Sequence, residues 1–243
     1  MSNLMADLPR LTKRSALFLD FDGTLAPIQD DPDTVAMPGE TLAAINRLQL
    51  FVAEAICIIS GRDIRDLSSR VPLSHWRAGG HGLEICKPGE APATVAASPP
   101  RSLSNAVEMS VRGLEGVRIE HKGPVFAVHF RRAPELGDTL LARLSDTVAD
   151  QPDYKVQAGK MVIEVKPVSA NKGRALESLM GQPPFAGRSP IMIGDDTTDE
   201  DAFVVANRLG GTSIKVGEGP TEAHHRLETP DSVTSWLSEQ GQG

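Results

Sequence analysis

Ala16-Leu17-Phe18-Leu19 runs without a polar break into Asp20-Phe21-Asp22-Gly23-Thr24-Leu25, and no other stretch constrains the fold as tightly. A short apolar run closed by glycine predicts a strand covered on both faces, the kind that parallel sheets contain. Its end carries two carboxylates at i and i+2. On extended backbone such side chains point the same way and sit about 6–7 Å apart. Open α/β sheets bind ligands at the carboxyl ends of their strands, so this pair predicts chemistry rather than packing.

The flanking segments keep an α/β rhythm. Pro38 stands where a helix begins, with Leu42, Ile45 and Leu48 on one face. A strand over 55–59 ends in Ser60-Gly61-Arg62, and a helix carrying Ile64 and Leu67 follows Asp63. Residues 77–85 hold Gly79-Gly80-His81-Gly82-Leu83-Glu84. This order predicts a parallel sheet with right-handed crossovers. Between 87 and 101, Pro88, Pro92, Pro99 and Pro100 mark a linker. Beyond it the pattern predicts a helix over 104–114 and strands over 117–121 and 125–131, turned by Lys122-Gly123-Pro124. A helix through Leu140, Leu141, Leu144 and Val148 comes next. Strands over 154–157 and 161–165 follow, turned by Ala158-Gly159-Lys160. After Pro167 the first rhythm returns, with helices over 172–180 and 200–207 and strands over 191–193 and 212–216. The expected architecture is a doubly wound α/β parallel-sheet core, residues 1–90 and 167–243. An α+β cap of order αββαββ, residues 91–166, is inserted into it.

Composition narrows the function. A hydrophobic fraction of 40% suffices for a core, and a formal charge of −7 argues against nucleic acid or anionic membrane as the main partner. Two cysteines, Cys57 and Cys86, make neither a disulfide framework nor a cysteine metal site; Cys57 reads as a small buried hydrophobe. With no signal peptide or span-length apolar run, the expectation is a cytoplasmic monomer.

Other strand ends are polar too. Ile59 leads into Ser60, and Ile193 into Gly194-Asp195-Asp196-Thr197-Thr198-Asp199-Glu200-Asp201. Parallel strands deliver these ends to one edge, where converging carboxylates would repel without a cation. Oxygen donors beside a phosphate-sized space suit Mg²⁺. Lys172, opening a helix in Asn171-Lys172-Gly173, can hold a phosphoryl group. The chemistry that fits is phosphoryl transfer: one aspartate attacks phosphorus, and a second acid protonates the leaving alkoxide and then activates water. Other polar features have plainer readings. Asp30-Asp31-Pro32-Asp33 is a solvated loop, and Asp63, Glu200 and Asp201 serve helix N-termini. Ser60 doubles as a helix cap, and His224-His225 are helical neighbours on the surface.

Asp20-Phe21-Asp22-Gly23-Thr24-Leu25, Ser60, Lys172 and Gly194-Asp195-Asp196 with Asp199 resemble, in order, the four motifs of the haloacid dehalogenase superfamily of phosphatases. The resemblance implies Asp20 as nucleophile and Asp22 as general acid/base. Mg²⁺ would be held by Asp20, Asp22 (through its backbone carbonyl) and Asp195, with Asp196 and Asp199 in support. Which of Asp195, Asp196 and Asp199 touches the ion directly is left open. Ser60, Gly61, Lys172 and Thr24 would serve the phosphate. From about residue 17 to 237 the chain is similar to trehalose-6-phosphate phosphatases. The similarity includes Ile59-Ser60-Gly61-Arg62, Gly80-His81-Gly82-Leu83-Glu84, Glu120-His121-Lys122, Val128-His129-Phe130-Arg131 and Gly159 through Glu164. Phe130 stands where a tyrosine is common. In that family the insert closes over the sugar, which implies a sugar-phosphate substrate contacted by Arg62, His81, Gly82, Glu120, Lys122, His129, Arg131 and Glu164. Two alternatives stay open: another sugar phosphate as substrate, or a catalytically silent domain that binds a sugar phosphate to regulate a partner.

Overall fold

The computed structural model describes residues 8–94, 97–159 and 161–241. β1 (Ser15–Asp20) leads to α1 (Gly39–Phe51), β2 (Ile56–Ile59) and α2 (Ile64–Arg70). β3 (Trp76–Gly79) and β4 (Glu84–Cys86) follow, then α3 (Arg101–Val111), β5 (Arg118–Lys122) and β6 (Val125–His129). Next come α4 (Gly137–Val148), β7 (Tyr154–Gly159), β8 (Val162–Pro167) and α5 (Lys172–Met180). β9 (Ser189–Gly194), α6 (Glu200–Arg208), β10 (Thr212–Val216), β11 (His225–Leu227) and α7 (Pro230–Glu239) complete the described chain.

The chain divides between Pro92 and Ala93 and again between Ala170 and Asn171, so that the flanking segments form one compact unit and the enclosed segment another. In the first unit seven strands lie in the order β11-β10-β9-β1-β2-β3-β4. All six residues of β1 are buried, which is why the sequence shows an unbroken apolar run instead of alternation. β1 pairs in parallel with β2 on one side and β9 on the other, with Asp20 opposite Ile59 and Leu19 opposite Ile193. The strand ends carrying Asp20, Ser60 and Asp195 therefore reach the same edge, where the strand order reverses about β1.

Three features differ from the sequence-based expectation. β4 pairs antiparallel to β3 through a tight turn in which Gly80, His81 and Gly82 all have positive φ. β3 itself lies parallel to β2 as expected, so only β4 departs from the parallel sheet. His224 and His225 are not helical: His225 opens β11, opposite Ile214. α3 begins three residues earlier than its apolar periodicity suggests, because Pro100 sets its N-cap. β11 and α7 lie in a region the periodicity left unassigned. α7 is fixed by a capping box between Thr229 and Ser232, with proline in its first turn.

In the second unit a four-stranded antiparallel sheet, β5-β6-β8-β7, packs one face on α3 and α4 through Leu103, Val107, Phe126, Val128, Leu140, Leu144, Ile163 and Val165. The other face follows by alternation. One row across it reads Glu120, Ala127, Glu164, Gln157. Lys160, expected in the β7–β8 turn, lies outside the described residues. No helix among the described residues is long and apolar enough to cross a membrane.

Candidate active site

Asp20 closes β1 and is 3% exposed. The chain then folds back at once: Leu25 and Ala26 donate their amides to Phe21 O, and Gly23 donates to Ala26 O. Gly23 has φ +80, and a Cβ there would occupy the place of the Asp195 carboxylate, so this turn needs glycine twice over. Asp195 follows β9 and arrives from the opposite side of β1. Oxygens of Asp20, Asp195 and Asp199 lie within 4.8 Å of one another.

Lys172 is the cation among them. It opens α5, is 2% exposed, and donates to Asp20 Oδ1 and to Asp199 Oδ1, each at 2.6 Å. Burial alone would lower its pKa, but Asp199 and Asp20 outweigh burial and hold it well above the usual lysine range. Burial and the neighbouring carboxylates Asp199 and Asp195 raise Asp20, although Lys172 opposes them. Burial and Asp199 push Asp195 up to about 7. Lys172, with Lys215 at the Asp195 carbonyl, sets two cations against three converging carboxylates.

Asp199 is fully committed within the protein: Oδ1 accepts from Lys172, and Oδ2 accepts from the amides of Asp195 and Asp196 at 3.0 Å. Asp20 Oδ2 is buried and has no hydrogen-bond partner among the described residues. That orphaned oxygen, the Asp195 carboxylate and the excess negative charge fit a hard divalent cation, with Asp199 buttressing the loop. Of the five metal residues expected from sequence, Asp20, Asp195 and Asp199 bring side-chain oxygens together, and Asp22 was expected to act through its backbone carbonyl rather than its carboxylate. The side chains of Asp22 and Asp196 stand outside the trio: Asp196 accepts from Thr197 N, and Asp22 is bound by Arg62.

The remaining first-unit candidates group around β2. Ser60 is buried, one residue beyond the partner of Asp20, and its Oγ accepts from Arg62 N at 3.0 Å. It does not cap α2, which Asp63 caps by accepting from Arg65 N. Gly61 faces the His81 ring, His81 N donates to Ser60 O, and Gly82 packs against Ala175 of α5. Thr24 is buried with Oγ1 unpartnered among the described residues. Asp201 does more than favour its helix terminus, since it accepts from Asn171 Nδ2 at 2.5 Å. Lys215, absent from the sequence-based set, is 4% exposed on β10 and donates to the carbonyl of Asp195. Its signal was a lone charge inside the buried run Ser213-Ile214-Lys215-Val216.

In the second unit Glu120 Oε2 accepts from His129 Nε2 at 2.8 Å, and Lys122 Nζ lies 3.6 Å away. Burial works against the Glu120 carboxylate, yet His129 and Lys122 bring its pKa below the usual value. Glu164 pairs with buried Lys166 at 3.3 Å. Arg131 lies past the end of β6 and is exposed.

A family model described as trehalose-phosphatase matches residues 18–231. The chain is 36% identical over 244 residues to a trehalose-6-phosphate phosphatase of Escherichia coli K12, covering 98% of this chain and 90% of that protein. It is 39% identical over 207 residues to a probable trehalose-phosphate phosphatase of Sinorhizobium fredii, covering 83% and 77%. Its fold is similar to the C-terminal domain of a C. albicans trehalose-6-phosphate phosphatase, with a TM-score of 0.81 at 27% identity over 97% of this chain and 93% of that one.

Proposed function

The chain belongs to the trehalose-phosphatase family of phosphoric monoester hydrolases, and from that premise we propose that it hydrolyses trehalose 6-phosphate to trehalose and phosphate through an aspartyl-phosphate on Asp20, the last step of trehalose biosynthesis. The observation that carries this reading is the state of the Asp20 carboxylate: one oxygen is held by buried Lys172 and the other is left without a partner inside a carboxylate trio. Such a group is aimed, desolvated and still free at one oxygen.

Asp20 attacks phosphorus as the bond to the sugar oxygen breaks. Lys172 offsets negative charge on the phosphoryl oxygens, and the Ser60 hydroxyl and Gly61 amide donate to them. Asp22 gives a proton to the departing sugar oxygen, then takes one from the water that cleaves the aspartyl-phosphate. Thr24 steadies the turn that carries both acids. Asp20, Asp195 and the backbone carbonyl of Asp22 would hold Mg²⁺, which would supply further charge compensation on the phosphoryl group. Glu120, Lys122 and Glu164, with His129, Arg131, His81 and Gly82, take the sugar hydroxyls. Two buried, unpaired cysteines and the acidic balance suit a reducing cytoplasm and a small-molecule substrate.

Phosphate release from trehalose 6-phosphate, with Mg²⁺ and with chelator, tests this beside a panel of other sugar phosphates. Turnover that needs Mg²⁺, prefers trehalose 6-phosphate and disappears in Asp20→Asn is expected. A larger kcat/KM for another sugar phosphate overturns the substrate, and an active Asp20→Asn overturns the nucleophile.

A further inference from the structure

Arg62 follows the β2 turn and was expected, from resemblance, to contact substrate. Its guanidinium is already spoken for. Nε donates to Asp22 Oδ2 at 2.7 Å and Nη2 to Asp22 Oδ1 at 2.6 Å, a bidentate fork across both oxygens of one carboxylate. Nη1 donates to Asp66 Oδ2 at 2.7 Å, and Nη2 also reaches the Pro32 carbonyl at 2.9 Å. The group lies over the Phe21 ring, 5.6 Å from its centroid. Asp66 is gripped in turn by Arg70, which also donates to the carbonyls of Asp33 and Val35. The Arg62 side chain is 9% exposed, against 35% for Asp22.

We infer that Arg62 is a positioning residue that fixes the orientation of the Asp22 carboxylate rather than a ligand of the phosphate or the sugar. The geometry shows why. Asp22 is the more exposed partner, one residue before the turn at Gly23, and among the described residues its carboxylate has no hydrogen-bond or ion-pair partner besides Arg62. Arg62 is immobilised by an aromatic face, a second carboxylate and a carbonyl, and it transfers that rigidity to Asp22 through two parallel bonds. Each Asp22 oxygen keeps a lone pair free for proton transfer. Asp66 and Arg70 brace the guanidinium from α2. A lysine could keep the charge, but it could not reproduce the fork.

This inference rests on the reading of Asp22 as the acid and base of the two steps, and the test separates the two ideas. p-Nitrophenyl phosphate has a leaving group that departs without a proton, whereas a sugar alkoxide needs one. In Arg62→Lys, kcat on trehalose 6-phosphate is expected to fall on the order of 10²-fold, the scale of general acid–base catalysis, with KM within about 3-fold. First-turnover release of nitrophenolate should stay within about 3-fold of wild type and build a burst near one per site, because the water step is slowed instead. Asp66→Asn, which removes one brace, should show the same split at smaller size, and it decides the matter if Arg62→Lys does not fold. A raised KM with equal slowing of both first turnovers would make Arg62 a substrate ligand and overturn the inference, as would wild-type kinetics in both variants. Asp22→Asn is the control. If it lacks the split, the acid–base reading fails; if it shows the split and the Arg62 and Asp66 variants do not, only the positioning role fails.

Discussion

Lys172 holds two carboxylates at 2.6 Å in a place with almost no access to water. Removing it strands Asp20 and Asp199 without their cation. Lys172→Met should therefore lose activity on the order of 10²-fold or more and, measured by urea unfolding at neutral pH, about 3–5 kcal/mol of stability. His75 carries a different charge problem. It is 1% exposed, Nε2 meets Asn46 Oδ1 at 2.9 Å, and Nδ1 has no partner among the described residues. Burial, helped by Arg77, brings its pKa below the ordinary 6.5. The unfolded chain takes up this proton near 6.5 while the folded chain resists it, so stability is complete above that pH and declines as pH falls through it. Unfolding curves at pH 8 and pH 5.5 should show a loss that is smaller in His75→Gln than in wild type. Two features at this scale were not legible in the sequence. Arg62 and Asp22 are 40 residues apart, and Lys215 meets Asp195 only because β10 lies beside β9.

At the scale of elements, α5 owes its placement to small groups. Asn171 caps it by accepting from Arg174 N and is tied to Asp201 at the start of α6. Gly173 lets the helices close, since a Cβ there would lie 2.5 Å from the Asp201 carbonyl. Gly173→Ala should move α5, cost about 1–3 kcal/mol and lower kcat along with stability. A Gly173→Ala protein with unchanged thermal midpoint and kcat would show that the helices can slide apart freely. α7 depends on its capping box, and Thr229→Ala should cost about 1 kcal/mol by thermal or urea unfolding without changing kcat. Element length decided what the sequence disclosed. β1 and β2 announce themselves because burial on both faces leaves an unbroken apolar run; in the second unit β7 alternates apolar and polar residues, whereas β6 is an apolar run buried over four residues. β4 and β11, three residues each, are too short to carry a period. The signal for α7 was present in Thr229-Pro230 and Ser232, in capping chemistry rather than in hydrophobic spacing.

At the scale of the whole molecule, the carboxylate trio stores repulsion that a cation would relieve. It draws on the ends of two central strands, β1 and β9, so a ligand there acts on the global folding equilibrium. At about one hundred times its dissociation constant Mg²⁺ should add about 2.7 kcal/mol, a rise in thermal midpoint of roughly 5–10 °C for a chain of this size. Asp195→Asn should lose most of that rise. A midpoint in wild type that ignores Mg²⁺ at millimolar concentration would speak against a cation at this trio.

The division of the chain at Ala170 and Asn171 has a practical meaning for grafting. Every residue proposed to make or break a bond is encoded outside the enclosed segment, so exchanging that segment offers a route to new substrates with the old chemistry. The downstream splice point has no slack. Asn171 is the first residue after the segment, and Lys172, proposed to serve the phosphate, is the second. A donor segment that carried its own residue into position 171 would delete the α5 cap and the tie to Asp201 together. The ammonium group would then be loosened by an edit made entirely in the neighbouring module. A chimera should splice before Asn171, never after it.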